Sequence, residues 1–136
     1  MTSTQDRLKR LLVGTPPSKH PGLSDVIAYL DSTDPESWWP GPTYRSPDGT
    51  RHCALSHIEV QYGMPVMEWF ESRWSTSYMI GSVNDGNDKG YQQESPKERC
   101  MAYLRALADG SELSTEEVME QEYWRWFSNE AQGMSE

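Results

Sequence analysis

Leu, Ile, Val and Phe together supply only 20 of the 136 residues, too few for an ordinary aliphatic core and close to the composition of a disordered chain. Large rings and thioethers offset the shortage, because the chain also carries six Trp, seven Tyr and seven Met. A ring buries far more area than a methyl-bearing side chain. A core that uses Trp and Tyr can therefore close with few aliphatics, provided the indole N–H and phenol O–H reach partners. The expectation is a folded domain with an aromatic-rich core, and 136 residues suffice for one such core but not for two.

Apolar residues fall mostly at helical spacing. Leu8, Leu11 and Leu12, with Ser3 or Thr4 as cap, predict a helix over 2–13 that ends at Gly14 and Pro16-Pro17. Leu23, Val26, Ile27 and Leu30 predict another between Pro21 and Asp31. Residues 31–50 are rich in Pro, Gly, Ser and Asp yet hold Trp38, Trp39 and Tyr44, so this loop should pack back on the domain. Arg51 to Tyr62 reads as a buried helix capped by Gly63, and Pro65 opens the next, with Val66, Trp69, Phe70 and Trp74. Tyr78 to Val83 reads as a short strand ahead of an 84–90 turn, without a clear partner strand. Ser95-Pro96-Lys97-Glu98 starts a helix that runs to about Ala108, and Ser114 with Glu117 starts the last one. Val118, Met119, Tyr123, Trp126 and Phe127 mark that helix's apolar side. The fold expected is mainly α: a small single domain of five to six short helices with a long aromatic-bearing loop and room for a short strand pair. It divides into an N-terminal helix and Pro-rich connector (1–20), a core (21–108) and an acidic C-terminal helix (109–136).

The net charge of −9 is uneven: residues 109–136 hold eight acids and one Arg. Such a chain is repelled by phosphate backbones, and its one basic run, Arg7, Lys9 and Arg10, is short, so direct nucleic-acid binding is not expected. No apolar run approaches the roughly 18 residues of a membrane span. With no apolar signal region and only two cysteines, a reducing cytoplasm and free thiols are the expectation.

His52, Cys53, His57 and Cys100 are the nearest approach to a metal set, since Cys53 and His57 at i, i+4 would share a helical face. They lack the paired spacing of a zinc site, and a Cys between apolar neighbours is ordinarily a small core residue, so neither metal nor cofactor is expected. Cys53, His57 and Asp85 leave open a small hydrolase or transferase, which requires them to meet within hydrogen-bond reach. Asp85, Asn87 and Gly90 fit three positions of a calcium loop, but Lys89 and Pro96 occupy two of its ligand positions and exclude it. Asn84 and Asp85 are otherwise the makings of a turn that caps backbone amides. Trp38, Trp39, Arg51, Asn84 and Asp85 have the composition of a ligand pocket that stacks a ring and pairs an anion; the alternative is that the Trp pair lids the core. On the last helix, Glu116, Glu117, Glu120 and Trp124 form a candidate protein-binding surface. Trp124 lies far round the helix from Met119, so one face should dock on the domain while the other offers a ring to a partner or a second copy.

The succession of Val26 to Leu30, Trp38-Trp39, Cys53-Ala54-Leu55, Asn84-Asp85 and Met101 to Leu107 resembles a family of small uncharacterised proteins from actinobacteria and their bacteriophages. The family pattern is a short helix, a Trp loop, a Cys-Ala-Leu-Gly helix, an Asn-Asp turn and a closing helix. Ser56 stands here at its Gly, and Val83 at the Trp before Asn-Asp. The resemblance implies a non-enzymatic accessory protein of phage type, in the host cytoplasm, that inhibits or sequesters a host defence or regulatory protein or a nucleotide-like signal. A virion structural or assembly protein is a further alternative.

Overall fold

Residues 21–134 are described by a computed structural model, with side chains through residue 128; the helix expected over 2–13 lies outside the described residues. The chain enters at α1 (Leu23–Asp31), where the Asp25 carboxylate accepts the Gly22 N–H at 3.0 Å. A 3-10 turn (Pro35–Ser37) leads into the long loop, which is stitched rather than free. His52 accepts the N–H of Trp39 and donates its own to Ser37, both at 2.8 Å, and Cys53 donates to Tyr44 at 2.8 Å. Two isolated bridges, from His52 to Trp38 and to Arg45, take the place of the strand pair for which the sequence left room.

α2 (Ala54–Tyr62) begins one residue after Cys53, three residues later than expected. Gly63 then turns the chain directly into α3 (Met64–Arg73) with φ 94° and ψ 164°, backbone that essentially only glycine enters. α4 (Ser77–Asn84) replaces the strand expected over 78–83. The Thr76 hydroxyl accepts the Met79 N–H at 3.2 Å and starts a helix, and the buried residues Ile80 and Val83 are three apart, whereas a strand would bury alternate ones.

α5 (Pro96–Asp109) starts as its sequence dictates, with the Glu98 N–H on the Ser95 hydroxyl at 3.2 Å and Pro96 at the first position. It packs against α1 and α4, while α2 packs against α1, α3 and α4. Aliphatics carry more of the core than composition foretold: Val26, Leu30, Leu55, Ile58, Ile80, Val83 and Leu104 are buried at its centre. Of the described rings only Trp38, Phe70 and Tyr103 are fully inside, and both polar ones have partners. Trp38 Nε1 donates to Thr33 Oγ1 at 2.8 Å, and the Tyr103 hydroxyl meets Ser75 Oγ at 2.7 Å. Trp69, Trp74, Tyr29, Tyr62 and Tyr91 pack half-buried at the edge.

α6 (Thr115–Met134) is tied on by its beginning. Ser114 and Glu117 exchange reciprocal bonds at 3.2 Å, Thr115 donates to the Trp74 carbonyl at 2.9 Å, and Glu116 pairs with Arg73 of α3 at 3.4 Å. Trp124 is exposed as expected, but past the first turn the face expected to dock does not do so among the described side chains: Met119, Tyr123, Trp126 and Phe127 are each at least half exposed as well. No helix among the described residues is long and apolar enough to cross a membrane.

Candidate functional site

A cleft of about 860 Å³ opens between the 41–44 loop, the amino end of α2, and α4 with the turn that follows it. Asn84 builds its inner wall. Fully buried, it donates from Nδ2 to the Trp39 carbonyl at 2.8 Å and to Asp85 Oδ1 at 3.1 Å, while its Oδ1 accepts the Ala54 N–H at 3.2 Å. The amide thus caps α2 from another helix and fastens the Trp loop to the same point. The turn is held from behind by Arg99, whose guanidinium donates to the carbonyls of Val83, Asn84 and Gln93 at 3.0, 2.7 and 2.9 Å. A buried cation is here satisfied by the carboxyl end of a helix. Nothing local in the sequence marks Arg99, because its partners are six to sixteen residues away.

Of the five residues expected to form one ligand pocket, four are joined by contacts, but only Asn84 and Asp85 line the cleft. Trp38 is core, its ring closed off from any ligand, because the loop folds inward there and packs the indole on His57 with ring centroids 4.8 Å apart. Trp39 is half-buried with the Arg51 guanidinium over its ring at 5.4 Å, and Arg51 also donates to the Glu36 carbonyl at 3.2 Å. Neither lines the cleft. Asn84 does, but its polar atoms are spent on Trp39, Ala54 and Asp85; Asp85 alone of the five turns charge toward the cleft.

The side chains of Cys53, His57 and Asp85 share no hydrogen bond among the described residues; Cys53 and His57 meet only through the helical bond from the His57 N–H to the Cys53 carbonyl at 2.9 Å. His57 directs Nε2 at the Ser37 carbonyl, 3.1 Å away, and its pKa is lowered to about 4, first by burial and then by His52 beside it. Ser56 Oγ accepts from Arg45 Nε at 3.0 Å and meets His52 Nδ1 at 2.9 Å, while burial, and then the Arg45 charge, lower the His52 pKa. Burial pushes the Cys53 thiol up, reinforced by Asp85 and opposed by the amides of Ser56 and Leu55. Burial likewise pushes up Cys100, and both thiols are free. No group of three or more His, Cys, Asp or Glu among the described residues is placed to hold a metal ion.

On α6 the expected acids have unequal roles. Glu117 is committed to the Ser114 N–H and Glu116 to Arg73, while Glu120 is exposed beyond them. Trp124, 56% exposed, stands edge-on to Tyr123 and Phe127 at 5.5 and 6.0 Å between centroids, so three rings make one outward cluster. Trp126, assigned by its spacing to the docking side, is 60% exposed as well. Against protein-family models, curated proteins and solved structures, no match to this chain is found.

Proposed function

We propose that the protein is a non-enzymatic binding protein that captures a basic partner protein through α6. The observation that carries this reading is the exposure of Met119, Tyr123, Trp124, Trp126 and Phe127 on a helix whose hydrogen bond and ion pair to the domain, among the described residues, lie at its first turn. Contiguous exposed rings are costly in a solitary protein and are the usual anchors of an interface. Charge selects the partner. Residues 109–136 carry eight acids against one Arg, and Arg125 is already paired with Glu122 at 3.0 Å. A second copy would bring like charges together, whereas a basic amphipathic helix offers both an apolar stripe and opposite charge. The resemblance to small actinobacterial and phage proteins makes a host regulatory or defence protein the class of target on this reading. A nucleotide-like signal has less support, because Trp38 is core and the cleft wall lacks a cation.

The test follows the tryptophan emission of the whole chain while a Leu/Lys amphipathic helical peptide is added, with a Leu/Glu peptide as control. The expected result is a blue shift with the basic peptide alone, abolished in a Trp124→Ala, Phe127→Ala double variant. Equal responses to both peptides, or an unchanged response in the variant, defeat the reading. A salt-resistant dimer in sedimentation that buries these rings assigns the face to a second copy instead.

A further inference from the structure

We propose that the cleft beside α2 and α4 is a binding site for a small organic cation, a primary amine carried on an apolar or aromatic body. The site is separate from the one assigned to partner capture, since α6 contributes no residue to the cleft. Its chemistry is set by one charge. Asp85 is the sole charged residue in the lining; the remainder is apolar or neutral, with Ala54, Leu55 and Ile80 supplying apolar surface.

Asp85 is positioned without being neutralised. Its Oδ1 takes the Asn84 amide at 3.1 Å, a neutral donor, and no salt bridge reaches it among the described residues. The amino end of α2 offsets only part of this charge, since a helix terminus is equivalent to roughly half a unit charge, and its first amide is already bonded to Asn84. Arg99 of α5, packed behind the end of α4, donates to three carbonyls and lies outside the lining. An anion entering here meets Asp85 and no Lys or Arg, whereas an ammonium gains a charge-assisted hydrogen bond to the carboxylate. Tyr44, half exposed, and Tyr78, 81% exposed, also line the cleft, and aromatic rings beside it favour a cation on an apolar body.

The experiment is a nuclear magnetic resonance titration of the whole chain with phenethylamine, the neutral phenethyl alcohol and the anion hydrocinnamate. Phenethylamine is expected to shift resonances of Tyr44, Tyr78 and the α4 amides, with a dissociation constant on the order of a millimolar. The alcohol should bind about tenfold more weakly and the anion not measurably. Asp85→Asn keeps an acceptor for Asn84 and should weaken the amine about tenfold while leaving the alcohol unchanged. Tyr78→Ala, at a surface position that the fold does not need, should weaken the amine about threefold. The proposal is overturned by the absence of amine-induced shifts, by alcohol or anion binding as tightly as the amine, or by either variant binding the amine as the native chain does.

Discussion

Asn84 joins three segments, and its replacement should cost more than that of any exposed residue beside it. Asn84→Ala strands the buried N–H of Ala54 and the carbonyl of Trp39 together, a loss of about 3 kcal/mol by the usual penalty for unpaired buried groups. Urea denaturation should show this, with Asp85→Asn shifting stability by less than about 1 kcal/mol. His57 gives the fold a pH dependence of definite sign. Its pKa is about 4 in the fold against an ordinary 6.5, so between those values the unfolded chain takes up a proton that the folded chain refuses. The stabilisation is complete above about pH 7 and is lost as pH falls from 6.5 toward 4, by on the order of 2 kcal/mol for a buried imidazole. Chemical denaturation at a series of pH values should trace that decline, and His57→Gln should flatten it.

Among elements, α6 and α4 depend on the domain in opposite ways. Removing residues 121–136 leaves the Ser114 to Glu117 cap and the Arg73 to Glu116 pair in place, so the melting temperature should stay within about 2 °C of the full chain. A collapse in stability would mean that the far part of α6 supports the core. For α4, Arg99→Lys offers one ammonium to carbonyls that a guanidinium fork spans, and should cost about 2 kcal/mol in the same assay. Helix starts were legible in the sequence because caps are local: Ser95 with Glu98, Ser114 with Glu117, and Gly63 each act within a turn of the residue that shows them. α4 was misread because Tyr78, Met79, Ile80 and Val83 have strand-like composition, and only the Thr76 cap betrays a helix. The cleft was half legible. Asn84 and Asp85 stood out as polar residues at a turn, but the pairing of Asn84 with an amide thirty residues away follows from packing and leaves no periodic trace. The outward Trp124 of α6 was legible, but the exposure of Tyr123, Trp126 and Phe127 was not, because rings at helical spacing read alike whether they meet a core or a partner.

For the whole molecule, the proposed capture of a basic partner should be electrostatically steered by the charge concentrated on the last segment. Capture of the basic peptide should slow several-fold between about 50 and 300 mM salt, as screening shortens the reach of exposed charges, with a smaller effect on dissociation. Stopped-flow fluorescence separates the two rates, and an association rate indifferent to salt would place the rings alone in control. The way α6 is attached adds a mechanical consequence. Among the described residues it is linked to the domain by a backbone bond from Thr115 to the Trp74 carbonyl and an exposed ion pair, above a cavity of about 160 Å³ bordered by Leu113, Val118 and Met119. Trp74 Nε1 and Thr115 Oγ1 at this joint are buried without hydrogen-bond partners among the described residues, so no side-chain hydrogen bond from either atom fixes the angle. Twenty residues of helix make a lever about 30 Å long, and a tilt of roughly 10° at its root carries the far end through about 5 Å. Tyr123 to Phe127 stand roughly 12 to 18 Å along this lever, so the same tilt moves the rings by about 2 to 3 Å, and on the proposed reading that play lets first contact with a partner precede the final orientation of the two bodies.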